Sequence, residues 1–276
     1  MAWPMPLAHI IIVGTSSLRN AANRSRLGSL FSSDEAARME EVLRRCNVQG
    51  LCEDTGVIVD TVLRLVNADP WSMSAELNAM KPWLEAYLNG IKRSVSKAVL
   101  LETDTIQGRI CGGVLGKHLA GMGISVERTT APNLGVPGKF VEGLRSLLTM
   151  IKAKAEEANR NGYCPLINLT GGFKPETAIG LAASIGYIPL AYYIHETFKN
   201  TIYLPLYPLV NKRGALEELS KASDMVKLIE IPSPSEWLKC LASTLEPVGH
   251  AIFSKVDSIL LHPDVVDVIK VLATYI

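Results

Sequence analysis

The sequence predicts an α/β protein built on a Rossmann-like, doubly wound and mainly parallel β-sheet. Two observations carry this prediction. The first is "AHIIIVG" (8–14), a continuous apolar and β-branched run that is typical of a strand buried on both faces. The second is that similar runs alternate along the chain with stretches of helical periodicity, which is the pattern of successive β–α–β units.

Four further strands are predicted from runs of the same kind. They are "KAVLLET" (97–103), "ISVERTT" (124–130), "CPLINLT" (164–170) and "IPLAYYI" (188–194). Helices are predicted between them at 33–46, 74–92, 105–121 and 138–162. We expect Ser33 and Ser74 to cap the first two helices at their N-termini and Gly162 to end the last one.

The composition changes after "TIYLPLYP" (201–208), where a charged helical stretch and a proline-interrupted segment follow. We therefore predict a ligand-binding and catalytic domain over 1–210 and a small C-terminal α/β domain over 211–276, with a winged helix as one form that it could take. Acidic residues outnumber basic ones in 211–276, and this charge balance does not favour DNA binding.

Composition and charge exclude several classes of protein. Of the 276 residues, 48% are hydrophobic, and the formal net charge is +1, so no long nucleic acid is expected as a partner. The five cysteines form no C-x-x-C pair, which predicts a reduced, cytoplasmic protein with neither a disulfide framework nor a zinc site. No apolar segment is long enough to span a membrane, and the N-terminus reads as a strand rather than a signal peptide.

Three of the predicted strands end in loops rich in glycine, hydroxyl and amide groups. These loops are "VGTSSLRN" (13–20), "ETDTIQGR" (102–109) and "NLTGGFKPE" (168–176). In an open parallel sheet the carboxyl ends of the strands share one edge, and ligands bind there near the switch point of the strand order. Turn chemistry alone explains any one of these loops, whereas three of them on one edge predict a ligand site.

The "NLTGGFKPE" loop has the properties of an anion-binding turn. Gly171 and Gly172 allow backbone N–H groups to approach a ligand, and Pro175 suits the first turn of a following helix. Lys174 adds a positive charge to a helix N-terminus, a placement that an anion would stabilise. The chain has no G-x-x-x-x-G-K-[ST] and no G-x-G-x-x-G at a strand exit, and "GGVLG" (112–116) lies within a helical pattern that predicts close helix packing.

With these loops the chain resembles the CRISPR-associated Rossmann-fold (CARF) proteins, and more narrowly the ring nucleases that degrade cyclic tetra-adenylate. The resemblance covers roughly 8–208. It rests on "VGTSSLRN", "SAELNAM", "LLETDTIQGRICGGVLGKHL", "LINLTGGFKPE" and "YYIHETFKNTIYLPLYP". It implies a homodimer with a two-fold axis through the ligand site and cyclic tetra-adenylate as the ligand. The three loops lack clustered Asp, Glu and His side chains, so no metal is expected, and no cofactor is predicted.

The resemblance also implies roles for individual residues. The catalytic lysine of the family corresponds to Lys174 and the catalytic serine to Ser16. Relatives often carry an apolar residue after this serine, whereas this chain has Ser17, so Ser17 is a second candidate for the working hydroxyl. Arg109 is a candidate for a further contact. The residues expected to bind the ligand are Thr15, Ser17, Asn20, Thr105, Gln107, Arg109, Thr170, Gly171, Gly172 and Phe173.

The chemistry expected of such a site is cleavage of RNA by its own ribose 2′-hydroxyl, which leaves a 2′,3′-cyclic phosphate. The three loops contain no histidine, and for His195, at a strand end, a structural role is favoured, so we predict a slow enzyme. Asp104 and Glu176 are expected to cap or to form ion pairs. Two other functions compete: a transcription regulator that senses the ligand without cleaving it, and a HEPN-type ribonuclease, whose R-x₄₋₆-H motif is absent.

Overall fold

A six-stranded sheet forms the centre of the protein, seen in a computed structural model that describes residues 4–172, 174–194, 200–206, 229–232, 236–255, 258–262 and 265–266. Its strands are β1 (Leu7–Ile12), β2 (Lys97–Thr103), β3 (Ser125–Ala131), β4 (Cys164–Asn168), β5 (Leu190–Ile194) and β6 (Thr201–Pro205). Their order is β3-β2-β1-β4-β5-β6, with the first five parallel and β6 antiparallel to β5. The predicted mainly parallel sheet is confirmed.

Helices fill the connections between the strands. They are α1 (Ser16–Ala21), α2 (Arg24–Leu27), α3 (Ser33–Gln49), α4 (Thr55–Ala68), α5 (Pro70–Met73), α6 (Ala75–Leu88), α7 (Ile106–Gly121), α8 (Phe140–Arg160) and α9 (Lys174–Ser184). The four predicted helices correspond to α3, α6, α7 and α8, whereas α4 is not predicted from the sequence. No helix in the described part of the chain has the length and apolar character needed to cross a membrane.

The helix ends agree with the predicted caps except at α3. Ser74 caps α6 by accepting a hydrogen bond from the N–H of Leu77, and Gly162 follows α8 with φ +77°. At α3 the cap is Ser32 rather than Ser33, because Glu35 lies three residues after Ser32 and completes a reciprocal capping box.

Both faces of the sheet are covered, as a doubly wound fold requires. On one face, buried side chains of α1, α3, α4, α6 and α7 pack against alternate residues of β1, such as Leu7 and Ile11. On the other face, α8 and α9 pack against Ile10 and Ile12. Neighbouring residues of β1 face opposite sides of the sheet, and helices cover both sides. This placement explains why the residues of β1 are almost all apolar.

His9 is the one polar side chain of β1, and it is fully buried within the strand. Its Nδ1 lies 2.8 Å from the hydroxyl of Tyr192, and its Nε2 lies 2.8 Å from the carbonyl oxygen of Ser94. Complete burial lowers the pKa of His9 from 6.5 to about 4, against the opposing effect of the Ser94 carbonyl. The imidazole is therefore neutral at pH 7.

This buried histidine makes stability depend on pH. The unfolded chain binds a proton at His9 below about pH 6.5, whereas the folded protein binds it only near pH 4, so stability is lost as the pH falls between these values. From pH 6.5 to 4.5 we expect His9 to lower the free energy of unfolding by about 2 kcal/mol. Urea unfolding of the wild type and of His9→Gln at both pH values measures this, and equal pH slopes would contradict it.

The C-terminal part of the chain forms a second, antiparallel sheet and packs on the first. Its strands are β7 (Ile229–Pro232), β8 (Ala251–Lys255) and β9 (Ser258–Leu261), in the order β7-β9-β8, and its helix is α10 (Glu236–Leu245). Leu241 and Leu245 of α10 join the core beside Trp83, whose Nε1 donates to the carbonyl of Thr244 at 2.7 Å. The predicted boundary near residue 210 lies outside the described residues and stays a prediction.

The prediction of fully reduced cysteines is wrong for four of the five. Disulfides join Cys46 to Cys52 and Cys164 to Cys240, and Cys111 alone is free and buried. The first disulfide forms where the chain turns back over the end of α3, and the second ties α10 to β4. Cys164 and Cys240 are separated by 76 positions, a distance that matches no known cysteine motif. Cys46 and Cys52 form a C-x₅-C spacing, which is not a recognised motif either, so neither pairing could be inferred from the sequence.

Candidate functional site

The three predicted loops meet at one edge of the sheet. They follow β2, β1 and β4, which are adjacent strands, and the strand order changes direction between β1 and β4. A cavity of about 460 Å³ opens at this point. The predicted site residues that line it are Thr15, Ser16, Thr105, Gln107, Thr170, Gly171 and Gly172.

The loops after β1 and β4 are in direct backbone contact, and glycines make this possible. A Cβ atom on Gly171 would lie 2.5 Å from the backbone nitrogen of Gly14 and closer still to the carbonyl oxygen of Ile12. Gly172 has φ +86°, a conformation that side chains disfavour. The pair is therefore required for the two loops to share one cavity wall, in addition to any role in binding an anion.

The side chain of Asn168 fixes the exit of β4. Its Nδ2 donates to the carbonyl oxygen of Glu76 at 2.9 Å, and its Oδ1 accepts from the N–H of Thr170 at 3.0 Å. The hydroxyl of Thr170 in turn accepts from the N–H of Ile194 at the end of β5. The β4 loop is thus held to α6 on one side and to β5 on the other.

The loop after β2 contributes side chains that are already partnered. Thr105 caps α7 by accepting from the N–H of Gly108 at 3.0 Å, and the amide nitrogen of Gln107 donates to the carbonyl of Cys46 at 3.2 Å. Arg109 does not line the cavity and forms an ion pair with Asp104 at 3.0 Å, which confirms the pairing predicted for that carboxylate. Behind this loop Gly112 of α7 lies against Glu102, so the close packing predicted for "GGVLG" is confirmed.

Glu76 is a buried carboxylate of the candidate site that was not predicted from the sequence. It lines the cavity with only 1% of its surface exposed. Its Oε1 accepts from the N–H of Gly14 at 2.8 Å, and its Oε2 accepts from the hydroxyls of Ser16 and Ser74, each at 2.8 Å. An acidic residue in the first turn of a helix reads as ordinary capping chemistry, so its contact with the β1 loop was not predictable.

Three further lining residues that carry a charged or amide side chain were not predicted. Arg19 lies one turn along α1 from Ser16, is exposed, and supplies a positive charge at the cavity. Asn47 comes from the end of α3, and Glu176 is a carboxylate of α9 that is 3% exposed. The cavity is therefore lined by buried carboxylates, by hydroxyl groups and by an exposed arginine.

Several predicted residues do not line the cavity. Ser17 is 1% exposed and faces the interior beside Cys111, where burial raises the pKa of the thiol to about 11. Asn20 donates from its Nδ2 to the carbonyl oxygens of Ser72 and Met73, so it braces α1 against α5. Of the two candidate hydroxyls, Ser16 is therefore the one placed at the cavity. The role predicted for Ser17 has no support from this arrangement.

Lys174 is exposed and is the first residue of α9, with Pro175 in the first turn as predicted. It follows the lining glycines by two positions but does not itself line the cavity. Phe173 and His195 lie outside the described residues. Within those residues no group of three His, Cys, Asp or Glu side chains is placed to hold a metal ion.

Fold and site together define a Rossmann-like α/β protein with a composite ligand cavity at the switch point of its sheet. A family model described as CRISPR-associated protein (Cas_APE2256) matches residues 71–207, just under half of the chain. The matched segment includes Glu76 and the loops after β2 and β4. This match supports a CRISPR-associated protein of the CARF type and points to a role in CRISPR defence.

Proposed function

We propose that the protein is a ring nuclease that binds cyclic tetra-adenylate and cleaves it, without a metal ion, to linear di-adenylate ending in a 2′,3′-cyclic phosphate. In a CRISPR-associated protein this activity would switch off antiviral signalling by a cyclic oligoadenylate. The observation that carries the proposal is the cavity itself, because Ser16 and the Gly171–Gly172 turn, which precedes Lys174, both line it.

The reaction needs little from the protein beyond geometry and charge. The 2′-oxygen of the ribose attacks the adjacent phosphorus in line with the bond to the 5′-oxygen, so RNA supplies its own nucleophile. Positioning of the attacking group and stabilisation of the charge on the phosphorane then account for most of the rate. Lys174 begins α9 two residues after the lining Gly172. In the proposed mechanism its ammonium group and the backbone N–H groups of this first turn supply the stabilisation.

Two copies of the chain are proposed to share one ring. A cavity of about 460 Å³ suits a ligand of ordinary small-molecule size, and a ring of four nucleotides is larger. Exposed apolar side chains lie beside the lining residue Asn47: Val48 is 72% exposed and Leu51 is 51% exposed. Burial of this surface against a second copy would bring two equivalent cavities together around one ligand.

The test is to incubate the purified protein with cyclic tetra-adenylate in excess EDTA and to identify the products by chromatography and mass spectrometry. We expect di-adenylate with a 2′,3′-cyclic phosphate to accumulate with time. Products that carry a 5′-phosphate would contradict attack by the 2′-hydroxyl.

A sensor that binds the ring without cleaving it is the second candidate. One observation favours it: Lys174, the expected catalytic lysine, does not line the cavity of the single chain. Binding of cyclic tetra-adenylate with no product after prolonged incubation would establish the sensor and exclude the nuclease. The C-terminal segment would then be the part that transmits the signal.

A further inference from the structure

We propose that Ser16 and Glu76 form a proton relay that acts as the general base for the attacking 2′-hydroxyl, an inference that rests on the proposed function. The Ser16 hydroxyl oxygen lies 2.8 Å from Oε2 of Glu76, and both residues line the cavity. A carboxylate that can take up a proton is therefore one hydrogen bond away from the serine expected to touch the ribose.

The hydrogen bonds of Ser16 determine what it can offer to a ligand. A hydroxyl has one proton to donate and two lone pairs to accept with. Ser16 donates its proton to the Glu76 carboxylate and accepts from the N–H of Ala75 at 3.1 Å. One lone pair remains, so Ser16 in this state can only accept a hydrogen bond. A ribose 2′-hydroxyl can donate that hydrogen bond, whereas an ionised phosphate oxygen has no proton to donate.

Glu76 is held in place as the terminal acceptor of the relay. The N–H of Gly14 and the hydroxyl of Ser74 donate to its carboxylate together with Ser16, and its backbone carbonyl accepts from Asn168. Donors on three sides compensate for the burial of the charge. The geometry is fixed by β1, β4 and α6 together, so the carboxylate needs no rearrangement before it accepts a proton.

The proton balance of the step is complete. As the bond between the 2′-oxygen and phosphorus forms, the 2′-hydroxyl proton passes to the oxygen of Ser16 and the proton of Ser16 passes to Glu76. The bond between phosphorus and the 5′-oxygen breaks, and the 5′-oxygen takes a proton from Lys174 or water. Glu76 then releases its proton to solvent. No metal, oxidant or further reactant is needed.

The test replaces Glu76 by glutamine, which keeps the shape and can still accept from Gly14 but cannot take up a proton. The glutamine Nε2 would then donate to the Ser16 hydroxyl, so a hydrogen bond that merely holds Ser16 in place would be kept with its direction reversed. We expect single-turnover cleavage of cyclic tetra-adenylate to fall by about 10²-fold, with ring binding changed less than about threefold. Ser16→Ala should show a similar loss. The double variant should be no slower than the slower single variant, because both residues act in one step.

Glu35→Gln is the matched control. Glu35 also accepts from a serine hydroxyl in the first turn of a helix, at 2.7 Å from Ser32, but it lies at the far end of α3 from the lining residue Asn47. Twelve residues of helix separate the two by about 18 Å. Its cleavage rate should equal that of the wild type.

The outcomes separate the relay from the proposed function. Suppose that the wild type cleaves the ring. Full activity of Glu76→Gln would then overturn the relay but not the nuclease. Losses that multiply in the double variant would lead to the same conclusion. A wild type that binds the ring without cleaving it overturns both. If Glu76→Gln does not fold, Ser16→Ala decides the question, because full activity of that variant is incompatible with the relay.

Discussion

Replacement of Lys174 by alanine is expected to lower cleavage of cyclic tetra-adenylate by about 10²–10³-fold, the loss typical of removing one group that stabilises transition-state charge. Lys174 begins α9, and its side chain is exposed next to the glycine turn of the cavity. The phosphorane and the departing 5′-oxygen carry more negative charge than the scissile phosphate of the bound ring. In the proposed mechanism the lysine therefore acts mainly on the rate, and binding should weaken much less than cleavage.

Two comparisons make the Lys174 result specific. Lys152→Ala removes another lysine, one on α8 that lies over the ring of Tyr187, and should leave cleavage unchanged. A ring with sulfur in place of the 5′-bridging oxygen has a better leaving group. If Lys174 acts on the leaving oxygen, this substrate should restore much of the activity of Lys174→Ala. Full activity of Lys174→Ala on the natural ring would contradict the role given to this residue.

Replacement of Gly171 by alanine is expected to have the largest effect on both folding and activity. The new Cβ would lie 2.5 Å from the nitrogen of Gly14, 2.8 Å from Oε1 of Glu76 and closer still to the carbonyl oxygen of Ile12. Backbone atoms cannot move aside as flexible side chains can, so the β4 loop must separate from the β1 loop. We expect a loss of about 2–3 kcal/mol in the free energy of unfolding and no detectable cleavage.

Gly121→Ala is the control for this prediction. Gly121 is the last residue of α7, and a Cβ there meets nothing within 4 Å. The substitution should leave cleavage unchanged and stability equal or higher by up to about 1 kcal/mol, because alanine favours a helix. Chemical denaturation measures both variants. A Gly171→Ala protein as stable and as active as the wild type would show that the two loops do not meet as described.

Local sequence patterns predicted the sheet and the position of the site because both depend on short-range features. A strand buried on both faces is almost entirely apolar, as β1 is apart from His9, and the strand exits carry the small polar residues that turns and ligands need. The convergence of the three loops then followed from the parallel sheet, since β2, β1 and β4 are neighbours.

Long-range packing explains what could not be predicted. Glu76 reaches the β1 exit only because the segment between β1 and β2 folds back over that strand, which brings Glu76 to Gly14 across a sequence separation of 62. The direction of a side chain in α1 is likewise set by packing, which places Ser16 at the cavity and turns its neighbour Ser17 into the core. The sequence of a loop does not reveal which of its side chains will face the cavity and which will face the core.

The most direct test of the account compares two rings under single-turnover conditions in EDTA: cyclic tetra-adenylate and the same ring with every 2′-hydroxyl replaced by hydrogen. In the proposed mechanism the ribose 2′-hydroxyl is the nucleophile, and Ser16 accepts its proton. We expect the protein to bind both rings and to cleave only the ribose ring, to di-adenylate with a 2′,3′-cyclic phosphate. Cleavage of the deoxy ring at a comparable rate, or binding of the ribose ring without cleavage, would contradict it.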